Sequence, residues 1–163
     1  MEKECIDIHG QGEYPANAIS NFAPHSFTLD GVRCGSMEGF LQSLKFKNPE
    51  KQHQVCALSG FDAKSSAGKW RNFRWKITGC LYWQGERIER CSDEYYRLID
   101  RAYEELSKDK DFTEALLSTG DKPLIHSVGG HKMKKTVLTE YEYVTRLTLI
   151  RKKLKEETTE NEG

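Results

Sequence analysis

The chain has 163 residues, 25 Lys+Arg against 25 Asp+Glu and 37% hydrophobic residues, which suits one ordinary domain with no net charge. Zero net charge argues against a protein that holds nucleic acid by bulk electrostatics and leaves only a local basic patch for that purpose. No apolar run reaches the ~18 residues of a membrane-spanning helix, and the first residues lack the apolar core of a signal peptide, so the expectation is a soluble, cytoplasmic protein with no membrane contact.

In chain order, the first strong signal is a hairpin. Ser26-Phe27-Thr28-Leu29 and Val32-Arg33-Cys34 flank Asp30-Gly31, a pair that supplies the positive φ angles of a two-residue turn. Ser36 then caps a helix predicted over 36–46, with Met37, Phe40, Leu41 and Leu44 on one face. A second hairpin is predicted over 77–88, turning at Gln84-Gly85, with Tyr82 and Trp83 facing the core. Ser92 caps a helix whose apolar stripe is Tyr95, Leu98, Ile99, Ala102 and Leu106. Asp111 with Glu114, and Thr139 with Glu142, have capping-box spacing. Residues 122–128 read as a short strand. The last helix buries Val144, Leu147, Ile150 and Leu154, and the acidic residues 156–163 read as a frayed helix end passing into a disordered tail after a domain of residues 1–155. These elements predict an α+β domain, mainly helical with short hairpins.

The five cysteines, Cys5, Cys34, Cys56, Cys80 and Cys91, form no C-x-x-C pair, so they read as reduced thiols rather than zinc ligands. No residue set points to a metal, and phosphate-binding Gly-rich motifs are absent.

The candidate chemistry concentrates in the helix over 36–46. At ~100° per residue, Glu38, Gln42 and Lys45 form a polar row on the border between the apolar face and solvent. Such a row either lines a cleft or is a solvated flank. Gly39 costs about 1 kcal/mol relative to Ala inside a helix, which implies that a backbone or a ligand comes close beside Glu38. Just upstream, Asn21 and Phe22 offer an amide and a flat apolar face, suited either to a planar polar ligand or to an Asn-capped turn.

Ser20-Asn21-Phe22, Phe27-x-Leu29-Asp30-Gly31 and Ser36-x-Glu38-x-x-x-Gln42-x-x-Lys45-Phe46 together resemble the opening motif of the NADAR/YbiA-like family. The resemblance implies an α+β fold that cleaves N-glycosidic bonds in ribose-phosphate compounds, without metal or organic cofactor. Family members act on riboflavin-pathway intermediates, and some remove ADP-ribose from nucleic-acid guanine. It places Glu38 at the catalytic acidic position and Asn21, Phe22, Gln42 and Lys45 around the pocket. The implied partner is a nucleotide-like or ADP-ribosyl small molecule, or ADP-ribosylated nucleic acid. A Trp-Gly pair and a Gly-x-Asn-x-x-Gly stretch of better-known members are missing. In their place stand His126-Ser127-Val128-Gly129-Gly130-His131 and Thr136-Val137-Leu138-Thr139-Glu140, which marks a divergent subgroup.

Breaking a C1′–N bond builds positive charge on the ribose, and a carboxylate beside C1′ stabilises that charge and takes a proton from water. Glu38 is the candidate for both. His126, Lys45 and Glu140, in that order, are candidates to protonate the leaving base. For the phosphates, residues 64–76 interleave Lys64, Lys69, Arg71, Arg74 and Lys76 with Trp70, Phe73 and Trp75, and Lys69 and Arg71 lie where the family often carries Gly-Arg. The same strip also reads as an amphipathic element with Trp70 and Trp75 in the core. Two further readings of the chain stay open: a binding module of the same fold without turnover, and a nucleic-acid accessory protein using the 64–76 strip.

Overall fold

A computed structural model describes residues 4–162. Strand β1 (Ile6–Asp7) opens the chain, and a loop leads to the hairpin β2 (Phe27–Leu29) and β3 (Val32–Cys34). Asp30 and Gly31 both have positive φ, as the two-residue turn requires. Helices α1 (Met37–Ser43), α2 (Pro49–Cys56), α3 (Gly60–Ser65) and α4 (Gly68–Thr78) follow. The second hairpin, β4 (Cys80–Trp83) and β5 (Glu86–Glu89), turns at Gln84-Gly85 and leads to α5 (Asp93–Leu106) and α6 (Lys110–Ser118). Strand β6 (Leu124–Ile125) pairs in parallel with β1, and α7 (Glu140–Glu162) closes the chain.

The main core runs from Ile8 to Leu147, and α1 sits at its centre with Met37, Phe40, Leu41 and Leu44 buried. Ser36 caps α1 by accepting the Gly39 N–H at 2.9 Å, and its own hydroxyl donates to Leu58 O at 2.8 Å. A Cβ on Gly39 would lie 2.4 Å from Leu58 O, 2.6 Å from Cys56 O and 3.1 Å from Val55 O. The anomalous glycine therefore exists for a backbone: α1 rests directly on the last turn of α2. Buried Gln52 of α2 locks the other end of α1, donating to Ser43 O, Phe46 O and Tyr82 O.

Ser92 caps α5 as expected. At the start of α7 the capping box is reciprocal: Thr139 N donates to Glu142 at 2.8 Å, and Glu142 N to the Thr139 hydroxyl at 3.1 Å. Glu142 also pairs with Arg90 at 2.5 Å, both side chains almost wholly buried. Helix α7 buries Glu142, Tyr143, Leu147 and Arg151, with Val144, Ile150 and Leu154 packed at the edge.

Four expectations are corrected. Residues 77 and 78 end α4 rather than begin a strand, because Gly79 adopts the left-handed conformation and closes that helix on Trp75 O. Helix α6 is capped by Asp109, not Asp111, since the earlier start turns Phe112, Ala115 and Leu116 inward. Trp75 is core, but Trp70 is 71% exposed. The acidic tail is helical to Glu162 (Gly163 lies outside the described residues), since neither Gly nor Pro interrupts it.

Candidate functional site

The N-terminus of α1 opens onto a cleft of about 540 Å³, walled by the loops around Gly10, Asn21 and Gly129 and by α3 and α4. Its position follows from the β1–β6 pairing, which brings residues 9–11 beside residues 126–130. The cleft gathers Asn21, Phe22, Glu38, Gln42, Lys45 and His126 from the sequence-predicted set. Among the described residues Glu38 is the one carboxylate on its wall, which also carries Lys45, Lys64, Lys76 and Lys135, so the site favours an anionic ligand.

Helix α1 ends at Ser43, short of the predicted 46, and the turn that follows carries Lys45, so that Glu38, Gln42 and Lys45 form a fixed relay. Gln42 Nε2 donates to Glu38 Oε1 at 2.9 Å, while Lys45 Nζ donates to Gln42 Oε1 at 2.7 Å and to Asn72 Oδ1 at 2.6 Å. Gln42 is thereby oriented with its amide N–H toward the carboxylate, leaving Glu38 Oε2 as the oxygen open to a ligand or water. Burial raises the pKa of Glu38, partly opposed by the Gln42 hydrogen bond and by Lys45, Lys64 and His126. Burial also lowers Lys45 to about 8, against the attraction of Glu38 and with repulsion from Lys76. Both groups therefore exchange protons nearer to neutrality than exposed carboxyl or ammonium groups do.

Asn21 is held on two sides. Its carbonyl oxygen accepts the Glu38 N–H at 2.9 Å, and its side-chain oxygen accepts the buried Tyr103 hydroxyl at 2.9 Å. The side-chain NH₂ is thus the group left for a ligand. Phe22 packs edge-to-face on Phe61 at 5.3 Å, with Lys64 Nζ 5.7 Å from its ring centre. His126 Nδ1 lies 2.8 Å from the Ile8 carbonyl, so Nδ1 carries the proton and Nε2 of the neutral ring is an acceptor. Donation by His126 to a leaving base therefore requires its doubly protonated form.

Three predicted residues are not on the cleft wall. Glu140 accepts the His126 N–H at 3.0 Å and lies 3.5 Å from His131 Nδ1, so it staples the 126–131 loop. Arg71 stacks over Phe46 at 4.4 Å and lines a separate groove, because it sits ~100° round α4 from the cleft-lining Asn72. Lys69 is exposed and lines neither cavity. Sequence reasoning missed Gly10, Gln11, Asn72, Tyr103 and Tyr143. No local signal marks them, since strand pairing and helix rotation bring them to the site.

Comparison with known proteins agrees with this architecture. Residues 13–152 match the family described as bacteriophage protein GP30.3. An uncharacterized 17.1 kDa protein in the Gp30-rIII intergenic region of Enterobacteria phage T4 is 36% identical over 151 residues, covering 91% of this chain and 98% of the phage protein. The NMR structure of the E. coli protein YbiA matches with a TM-score of 0.63 at 16% identity, over 98% of this chain and 90% of YbiA. The motif resemblance is thus met by a YbiA-like fold at a divergent sequence, and the chain belongs to the bacteriophage GP30.3 family.

Proposed function

We propose that the cleft hydrolyses the C1′–N bond of a ribose-phosphate or ADP-ribosyl compound. The observation that carries this reading is Glu38: among the described residues a single desolvated carboxylate, one oxygen held and one free, in a cleft whose other charged side chains are lysines. Glu38 accepts a proton from water as the water oxygen bonds to C1′. The C1′–N electron pair leaves with the base nitrogen, and the carboxylate offsets the positive charge that gathers on the ribose. Lys45, with its pKa lowered to about 8, donates the proton taken up by the leaving nitrogen. His126 Nε2 accepts a hydrogen bond from a ribose hydroxyl, Asn21 donates to the base, Phe22 packs on its face, and Lys64, Lys76 and Lys135 hold the phosphates.

The test is a product assay by mass spectrometry on wild type and Glu38→Gln. The substrates are riboflavin-pathway intermediates, nicotinamide dinucleotides and an oligonucleotide carrying ADP-ribosylated guanine. Release of free base or free ADP-ribose by wild type alone supports the mechanism, and full activity in Glu38→Gln refutes it. Tight ligand binding without any release would make the protein a binding module.

A further inference from the structure

Helix α4 separates two cavities. At ~100° per residue, Asn72, Trp75 and Lys76 lie on its flank toward the cleft, while Arg71, Arg74, Trp75 and Thr78 share the flank toward a second groove. That groove, about 220 Å³, lies between α4, the 45–48 turn, the start of α2 and β4. Lys45 and Trp75 line both cavities and form their common wall.

The lining of the groove is one-sided in charge. Lys45, Lys47, Lys51, Arg71 and Arg74 face it and, among the described residues, no Asp or Glu does, in a chain whose overall charge is zero. None of Lys47, Lys51, Arg71 and Arg74 forms an ion pair among the described residues. Unpaired cations crowded in a concave site repel one another unless an anion joins them. A second observation concerns the wall that the groove shares with the cleft. Trp75 Nε1 is buried and has no hydrogen-bond partner, and it is the one such side-chain atom among the described residues. A buried donor left unsatisfied calls for an explanation, and an acceptor bound against this wall supplies one.

We propose that this groove is a second binding site, for phosphate groups. It is smaller than the ~300–1,000 Å³ of typical small-molecule pockets, which suits one anionic group of a larger ligand rather than a whole nucleotide. Phosphate is the anion that Arg71 and Arg74 recognise best, through bidentate donation, with Lys47 and Lys51 adding charge. The site stands independently of the chemistry proposed for the cleft, because its test reads binding alone.

The phosphates come either from a free phosphorylated molecule or from a polynucleotide backbone. The outer face of α4 separates these sources: Trp70, Phe73 and Ile77 are 71%, 58% and 68% exposed and adjoin the groove at Arg74. Of the two probes used below, only the oligonucleotide carries bases that can stack on Trp70 while its phosphates occupy the groove.

The experiment is an amide NMR titration with pyrophosphate and, separately, with an eight-residue oligothymidylate. Pyrophosphate is expected to shift amides of residues 46–51 and 71–78. Lys47→Glu/Lys51→Glu, both exposed and without folding contacts to lose, is expected to weaken binding at least tenfold, as is Arg74→Glu. Shifts confined to Asn21, His126 and Gly129, or unchanged affinity in both charge-reversed variants, would overturn the site. A Trp70→Ala variant that loses about 5- to 150-fold in oligothymidylate affinity and none for pyrophosphate assigns the phosphates to a polynucleotide. In that case the salt slope of Lys47→Glu/Lys51→Glu should also fall by at least about 1.4. Equal binding of the two probes, insensitive to Trp70, assigns them to a free phosphorylated molecule.

Discussion

Gly39→Ala tests how the fold holds the cleft. The new methyl would lie 2.4 Å from Leu58 O, where 3.4 Å begins ordinary contact, so α1 and the end of α2 must separate by roughly 1 Å. Neither partner can yield cheaply. Leu58, Cys56 and Val55 present backbone oxygens, and Ser36 is hydrogen-bonded to Leu58 O on the same surface. Overpacking of this kind costs about 3 kcal/mol at the upper end of its usual range, while replacing Gly by Ala in a helix returns about 1 kcal/mol. The net loss is about 2 kcal/mol, or about 4–8 °C in Tm for a domain of this size. The same shift carries Glu38 away from His126 and Asn21, and a displacement of ~1 Å in a reacting group costs on the order of 100-fold in rate. Thermal melts and the product assay read the two effects separately. A Gly39→Ala protein as stable as wild type would refute the packing argument. A destabilised variant with full turnover would refute the claim that the α1–α2 contact positions the carboxylate.

Other outcomes follow from the buried charges. Arg90→Met leaves Glu142 buried without its partner and should cost about 3–5 kcal/mol, read as a drop in denaturation midpoint. Burial pushes Glu142 up, but the hydrogen bonds from Arg90 and Thr139 outweigh it, so its folded pKa lies below the ordinary carboxylate value. Its contribution is therefore present above that ordinary value and lost as pH falls through the folded one, and Glu142→Gln should flatten the acid limb of the stability curve. Glu38 has the opposite sign. Its raised pKa makes the ionised form a burden on the folded state above the ordinary carboxylate range, so Glu38→Gln should be more stable than wild type at neutral pH. The two proteins should converge in stability in acid, and a less stable Glu38→Gln at pH 7 would contradict the desolvated site. Lys45, lowered to about 8, loses its charge as pH rises through that value. Affinity of the cleft for an anionic ligand should fall over that range in wild type and stay flat in Lys45→Met, which calorimetry at pH 7 and pH 9 would check.

Local physics makes much of this protein legible in its sequence. Two-residue turns at Asp30-Gly31 and Gln84-Gly85 demand positive φ, Ser36 and Ser92 satisfy the first N–H groups of their helices, and Thr139 with Glu142 does so reciprocally. Within the polar row, the pair Glu38 and Gln42 was readable because helix periodicity aligns it, and the tight turn that ends α1 keeps Lys45 on the same side. What lies opposite that row is not a local property. Two strands of two residues each, 118 positions apart in sequence, bring Gly10 and Gly129 to the same cleft, and nothing short-range in either segment names its partner.

The rotation of α4 was equally hidden. Its composition mixes cations and aromatics on every side, so only packing against the core decides that Trp75 is buried while Trp70 faces solvent. That rotation also removes Lys69 and Arg71 from the cleft and puts Asn72 and Lys76 there instead. Short-range physics sets the turns, the caps and the alignment of side chains along one helix. Tertiary structure decided which of those faces meet, because that choice depends on burying apolar area contributed by the whole chain at once.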